Sequence, residues 1–147
     1  MALSSFQFSQ PVLTKASFNI TGPAGADLPS PHVHVHRKII KIEGTKQAIV
    51  QLTIQLNRKM NEVEEDAPFN AEFTMQAMFR WNDTVDDNMA EELLNYNAVA
   101  LLISYIRPII ATVTSASPLP TVNLPYINVI DLVKSQNEES ENKKKDE

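Results

Sequence analysis

Gln47 to Asn57, QAIVQLTIQLN, and Phe69 to Asn82, FNAEFTMQAMFRWN, are the two stretches that decide how this chain folds. In the first, Ala48, Val50, Leu52, Ile54 and Leu56 share one side of a pleated strand, and Gln47, Gln51, Thr53, Gln55 and Asn57 share the other; Ile49 alone breaks the pattern. In the second, Phe69, Ala71, Phe73, Met75, Ala77, Phe79 and Trp81 oppose Asn70, Glu72, Thr74, Gln76, Met78, Arg80 and Asn82. Alternation this regular predicts an antiparallel sheet with one face on a core and one face wet.

Working outward, Val12 to Ile20 reads as another strand with Ala16, Phe18 and Ile20 inward, and His32 to Ile42 as a further one. In the latter the apolar set slips from Val33 and Val35 to Ile40 and Ile42, which predicts a bulge near Arg37. Four strands result. Thr21 to Pro31, TGPAGADLPSP, is a long irregular connection, Glu43 to Lys46 is short enough for a hairpin, and the acidic Asn61 to Ala67 reads as a mobile, solvated loop.

After Trp81 the period changes from two to that of a helix. Asn82 or Asp83 can cap a short helix running to about Asn95, with Asp86 and Asp87 near its positive end. A long second helix is expected over roughly Asn97 to Ser117. Its Val99, Leu101, Leu102, Ile103, Ile106, Ile109, Ile110 and Val113 cover nearly the whole circumference, so one sheet cannot cover them all. A second subunit is expected on the other side. Pro108 predicts a kink or break in that helix. The fold class is therefore α+β, four antiparallel strands packed by a long C-terminal helix and a shorter one. One domain over residues 1–133 is expected, followed by a disordered charged tail over 134–147, KSQNEESENKKKDE.

Composition removes several kinds of function. The 147 residues carry a net charge of -5, which disfavours binding to nucleic acid phosphate. There is no cysteine, so thiolate and disulfide chemistry are absent, and the N-terminal MALSSFQFSQ lacks a signal peptide's basic and apolar regions; a cytoplasmic protein is expected. The longest apolar stretch, Ala98 to Val113, is interrupted by Ser104, Tyr105, Arg107 and Pro108, which argues against membrane insertion. His32, His34 and His36 line one face of a strand at steps of about 6.8 Å, a spacing from which two could hold zinc if a third ligand joined them. Alternating polar residues on a wet face explain them without a metal, so no metal or cofactor is expected, and no catalytic constellation stands out.

The segment Leu102 to Val129, LISYIRPIIATVTSASPLPTVNLPYINV, resembles the C-terminal motif of the SecB export chaperones. That motif is a Tyr-x-Arg helix followed by a Phe-Pro-x-Leu-x-Leu-x-Pro-x-Asn-Phe-like loop, and Tyr105, Arg107, Pro120, Asn123, Leu124 and Asn128 fall in register with it. Upstream, Lys15, Ser17 and Phe18 resemble the family's first strand, and Phe69 to Glu72 with Gln76 to Phe79 its fourth. The resemblance implies a non-enzymatic holdase that binds unfolded polypeptides or preproteins, built as a homotetramer, a dimer of dimers. It implies groove positions at Ile40, Ile42, Phe79, Trp81, Leu119, Val122 and Leu124. Leu101, Leu102, Tyr105, Ile109 and Val113 are the expected oligomer interface, and Glu72 is the expected docking residue for the translocase motor SecA.

The departures bear on that last role. Ser117 stands where the family has a helix-ending glycine, Pro108 replaces a polar residue, Ala16 and Asn19 stand where carboxylates of the SecA-docking face would be, and Asn70 replaces an apolar residue. Holding clients is thus better supported than delivering them to SecA. A SecB-fold protein dedicated to one partner, such as an antitoxin, is the alternative. A metal-dependent enzyme centred on the three histidines is a third reading.

Overall fold

The computed structural model describes residues 4–23 and 28–146. Ala24 to Asp27, within the long connection expected before the second strand, lie outside the described residues. The strands are β1 (Phe6–Phe8), β2 (Val12–Ile20), β3 (Val33–Ile42), β4 (Gln47–Leu56), β5 (Arg58–Lys59), β6 (Glu62–Val63) and β7 (Phe69–Trp81). The helices are α1 (Asp87–Glu92), α2 (Ala98–Ser115) and α3 (Val129–Lys145), with a π-helical turn over Leu93–Asn97 joining the first two.

The four expected strands are present, and a fifth joins them. The main sheet runs β1-β7-β4-β3, all antiparallel, and β2 pairs with β7 on the same side as β1. β1 was not anticipated because three residues carry too little alternation to read. Its Phe6 and Phe8 are anchored instead by stacking, Phe6 on Phe79 at 5.5 Å and on Trp81 at 6.4 Å between ring centres. The β3–β4 connection is a tight turn, with Gly44 at φ 73°, a conformation glycine adopts without a Cβ penalty.

Several expectations are corrected. β3 has no bulge: its register with β4 is continuous from Val33 to Ile42, and the irregularity lies in β2, between Leu13 and Lys15. Straight pairing turns Val33, Val35, Arg37 and Ile39 toward the helices and leaves Ile40 and Ile42 on the outer face. Arg37 takes an inward position because its long side chain reaches α3, where Nη2 donates to Asn137 Oδ1 at 3.2 Å.

The two expected helices form one continuous run from Asp87 to Ser115, capped by Asp86, whose carboxylate accepts from Met89 N at 2.8 Å, rather than by Asn82 or Asp83. Pro108 does not break it. The amide that proline lacks leaves the Ser104 carbonyl without a helical donor, and both residues are exposed, so water can satisfy it. By length and composition this 29-residue run could cross a membrane. Val99, Leu102, Ile106 and Ile110 are instead fully enclosed against β4 and β7, as a core helix requires.

Residues 134–145 are helical rather than disordered. Asn128 caps α3 through Asp131 N, Val133 is buried, Leu132 packs against the core and Gln136 donates to Val35 O at 2.8 Å. These four anchors fix the first two turns, from which the polar remainder extends into solvent. Within the acidic connection, Glu62 and Val63 pair with Arg58 and Lys59 as a small hairpin.

The core lies between the inner sheet face and α2. Ala48, Val50, Leu52, Ile54 and Leu56 are all fully buried, as are Ala71 and Phe73. Each large side chain removed from water in this way contributes roughly 1.5–3 kcal/mol. The outer face is polar but more closed than a solvated face. Gln51 donates to Gln76 at 3.2 Å and the Thr53 and Thr74 hydroxyls meet at 2.9 Å, and these cross-strand pairs shield Gln55 and Thr74.

Candidate functional site

Two proline-stiffened segments form a concave surface at one end of the core. The first, Leu28 to Pro31, leads into β3; the second, Leu119 to Pro125, follows α2. With Val33 and Phe69 as the floor, they enclose an apolar cavity of about 340 Å³. Pro29, Pro31, Pro120 and Pro125 hold the walls extended with little conformational freedom, while Ser30, Thr121 and Asn123 supply polar groups.

Three hydrogen bonds hold the second wall, two of them from α2. The buried Thr114 hydroxyl donates to Ile110 O and accepts from Val122 N at 2.9 Å. Ser117, just past the helix end, donates its hydroxyl to Thr114 O at 2.7 Å and accepts from Leu119 N at 3.1 Å, so it fixes the turn that follows α2. Arg107 Nη2 donates to Pro125 O at 3.0 Å. The motif positions Arg107, Pro120 and Asn123 thus shape the wall.

The seven expected groove residues are not brought to one surface. Leu119 and Val122 line the cavity; Leu124 is buried in the core beside them. Phe79 is buried on the inner face, and Trp81 is half-buried next to Phe6. Ile40 is 42% exposed on the outer face of β3, with Ile42 beside it. The straight register of β3 separates these two from the rest by the thickness of the sheet. Leu28, Pro29, Pro31 and Phe69 were not foreseen as site residues, and the only sequence signal was the echo of Pro-Ser-Pro at 29–31 in Pro-Leu-Pro at 118–120.

The expected interface divides as well. Leu102 is fully buried within the subunit, whereas Leu101, Tyr105, Ile109 and Val113 are half-buried on the flank of α2. Pro108, Ile109, Thr112 and Val113 line an open apolar depression there. Phe8 meets Tyr105 edge-on at 6.2 Å, and Phe8, Leu13 and Ile20 along the β1–β2 rim are each 39–47% exposed. Together these form an apolar surface on the helix side of the sheet that this subunit alone leaves open.

Glu72 is not a free carboxylate. Lys15 Nζ lies 2.8 Å from it, Arg58 Nη1 3.7 Å, and Gln55 Nε2 donates to it at 3.3 Å. Burial pushes its pKa up, but Lys15, Arg58 and Gln55 outweigh that and hold it below the usual range. The histidines are dispersed among other partners: His32 Nδ1 lies 2.7 Å from Glu64 Oε1 and His36 Nε2 3.1 Å from Gln55 Oε1. Among the described residues no group of three or more side chains could hold a metal ion. Arg37 was not foreseen: its Nε is buried without a hydrogen-bond partner, and burial lowers its pKa.

The family model for preprotein translocase subunit SecB matches residues 12–140. A solved Mycobacterium tuberculosis SecB-like chaperone, in complex with a ChAD peptide from the HigA1 antitoxin, superimposes with a TM-score of 0.68 at 12% identity, covering 84% of this chain and 91% of that one. A protein of unknown function from Streptococcus agalactiae aligns at a TM-score of 0.43 and 14% identity, over 85% of this chain and 100% of that one. No curated protein matches in sequence.

Proposed function

This chain belongs to the SecB family, whose function is of the chaperone type, and on that premise we propose that it is a cytoplasmic holdase that keeps non-native polypeptides from aggregating. The observation that carries the reading is the apolar cavity between Leu28–Pro31 and Leu119–Pro125, pre-shaped by prolines and pinned by Thr114 and Arg107. An unfolded client offers apolar side chains at irregular spacing. A stiff apolar cavity buries them with little demand on sequence, and several such weak contacts along one chain add to useful affinity.

The open apolar surface formed by the β1–β2 rim and the flank of α2 supports a homo-oligomer, read as a tetramer by the family resemblance. Ile40 and Ile42 remain candidates for client contact on a different surface from Leu119 and Val122. Delivery to SecA is the less supported part of the reading, because Glu72 is neutralised by Lys15 and Arg58. A role dedicated to a single partner is the second reading, favoured by the antitoxin peptide held by the Mycobacterium tuberculosis SecB-like chaperone.

Thr121→Trp tests the cavity. Thr121 is an exposed wall residue, so an indole there fills the cavity without opening the core. Its affinity for a fluorescently labelled unfolded protein is expected to drop by about tenfold or more, the equivalent of losing one buried anchor. Unchanged affinity in a folded variant removes the cavity from the client site.

A further inference from the structure

The outer face of the sheet differs in charge from the rest of the molecule. Register places Lys15, Thr74, Thr53 and His36 in one row across four strands, Val12, Gln76, Gln51 and Lys38 in the next, and Arg80 beside Gln47 two rows further on. Among the residues that these strands turn to this face, Lys15, Lys38 and Arg80 are cations and Glu72 is the one carboxylate. Glu72 is already matched by Lys15 and Arg58. Lys38 and Arg80 are exposed, and among the described residues neither has a carboxylate within ion-pair distance. Lys41, of the opposite phase on β3, is paired with Glu91 on the helix side. The acidic connection over 61–67 gathers at the far end of the face, where Glu64 is held by His32. A chain of net charge -5 thus presents a positive surface here. Two apolar side chains lie between the free cations. Ile49, the exception to the alternation of β4, stands opposite Met78, and both are half-buried. Beside them Gln76 Oε1 accepts from Gln51 Nε2, which leaves Gln76 Nε2 without an acceptor among the described residues.

We propose that this face docks an acidic segment of a partner protein, with carboxylates on Lys38 and Arg80 and an apolar side chain on Ile49 and Met78. The polarity is the reverse of the carboxylate-bearing SecA-docking face that the family resemblance implies, so the occupant carries the opposite charge. By strand spacing and rise, Lys38 and Arg80 stand about 17 Å apart, a span that about three turns of helix or about five extended residues cover. Complementary charge of this kind selects a partner and speeds its encounter, whereas the cavity on the other side of the sheet selects for apolar surface. Nucleic acid is the poorer occupant. Cations this far apart do not follow a phosphate backbone, and Ile49 and Met78 offer it nothing.

The test titrates the full chain against a fluorescent helical peptide of Glu and Ala with a single Leu, and against its counterpart with Lys in place of Glu. The acidic peptide is expected to bind at least about tenfold more tightly at low salt, and to weaken as salt is raised. Lys38→Glu with Arg80→Glu, at two exposed positions outside the core, is expected to invert that preference. If that double variant does not fold, Lys38→Gln with Arg80→Gln decides, with an expected loss of about threefold or more. Equal binding of the two peptides overturns the proposal. So does a preference that the variants leave unchanged, which would place the acidic peptide on the Lys143, Lys144 and Lys145 end of α3. A single-stranded oligonucleotide that binds more tightly than the acidic peptide, and is lost in the same variants, overturns the choice of partner. None of these results bears on client holding, which suppression of aggregation reads separately.

Discussion

At the scale of single residues, the outer face owes its chemistry to who neighbours whom. His34 sits among Lys59, His36 and His32, with Glu64 as its one acidic neighbour. Burial first, and then the nearby Lys59 and His36, hold its imidazole below the ordinary value of 6.5. The unfolded chain thus takes up a proton at His34 at a higher pH than the folded one does. The folded state accordingly loses stability as the pH falls through 6.5 toward the lowered folded pKa. His34→Gln is expected to flatten the dependence of the urea midpoint on pH between about 7 and 5. An unchanged slope would locate the acid sensitivity elsewhere. Little of this was legible in the sequence. The spacing of His32, His34 and His36 gave their common side of a strand but not the partners Glu64 and Gln55, which arrive from a hairpin and a neighbouring strand. Glu72 was legible as a position, whereas its neutralisation by Lys15 and Arg58 depends on the register of β2 and on β5 folding over the face.

Elements were easier to read, because period-two alternation is a property of consecutive residues. β2, β3, β4 and β7 fall within about a residue of their expected limits, since each carries a long apolar side that only one register can bury. β1 is too short to alternate visibly, and the bulge went to the wrong strand because Arg37 at an inward position reads as a slip in phase. The π-turn at Leu93–Asn97, LLNYN, has no local signature; it lets α1 and α2 continue as one helix where capping rules suggested two. Pro108 makes the same point from the other side, since an exposed proline with an exposed carbonyl below it bends the rule without ending the helix. Pro108→Ala should restore the missing amide and stabilise the protein by up to about 3 kcal/mol in chemical denaturation. A loss of stability instead would mean that the proline ring itself is packed, as it would be in the apolar depression it shares with Ile109 and Val113 once a partner covers it.

For the whole molecule, the proposed partner subunit rests on a helix apolar around its circumference. The structure divides the helix residues: Leu102 is spent on the internal core, while Tyr105, Ile109 and Val113 lie with Phe8, Leu13 and Ile20 on the open apolar surface of the helix side. Ile109→Glu is expected to split the oligomer into smaller particles, read by size-exclusion chromatography with light scattering, because a carboxylate in an apolar interface has no counter-charge there. An unchanged mass would move the interface off the helix flank. The cavity was less legible, for its two walls are about ninety residues apart in the chain and only the second lies in the recognised motif.

The central claim is that this molecule holds unfolded chains, and the most direct measurement is light scattering as a chemically unfolded protein is diluted into buffer with and without it. The account predicts that scattering is suppressed near one oligomer per client, by a particle sized independently at about four chains. Full scattering in the presence of that same particle would contradict it, leaving the SecB fold in the service of a single dedicated partner.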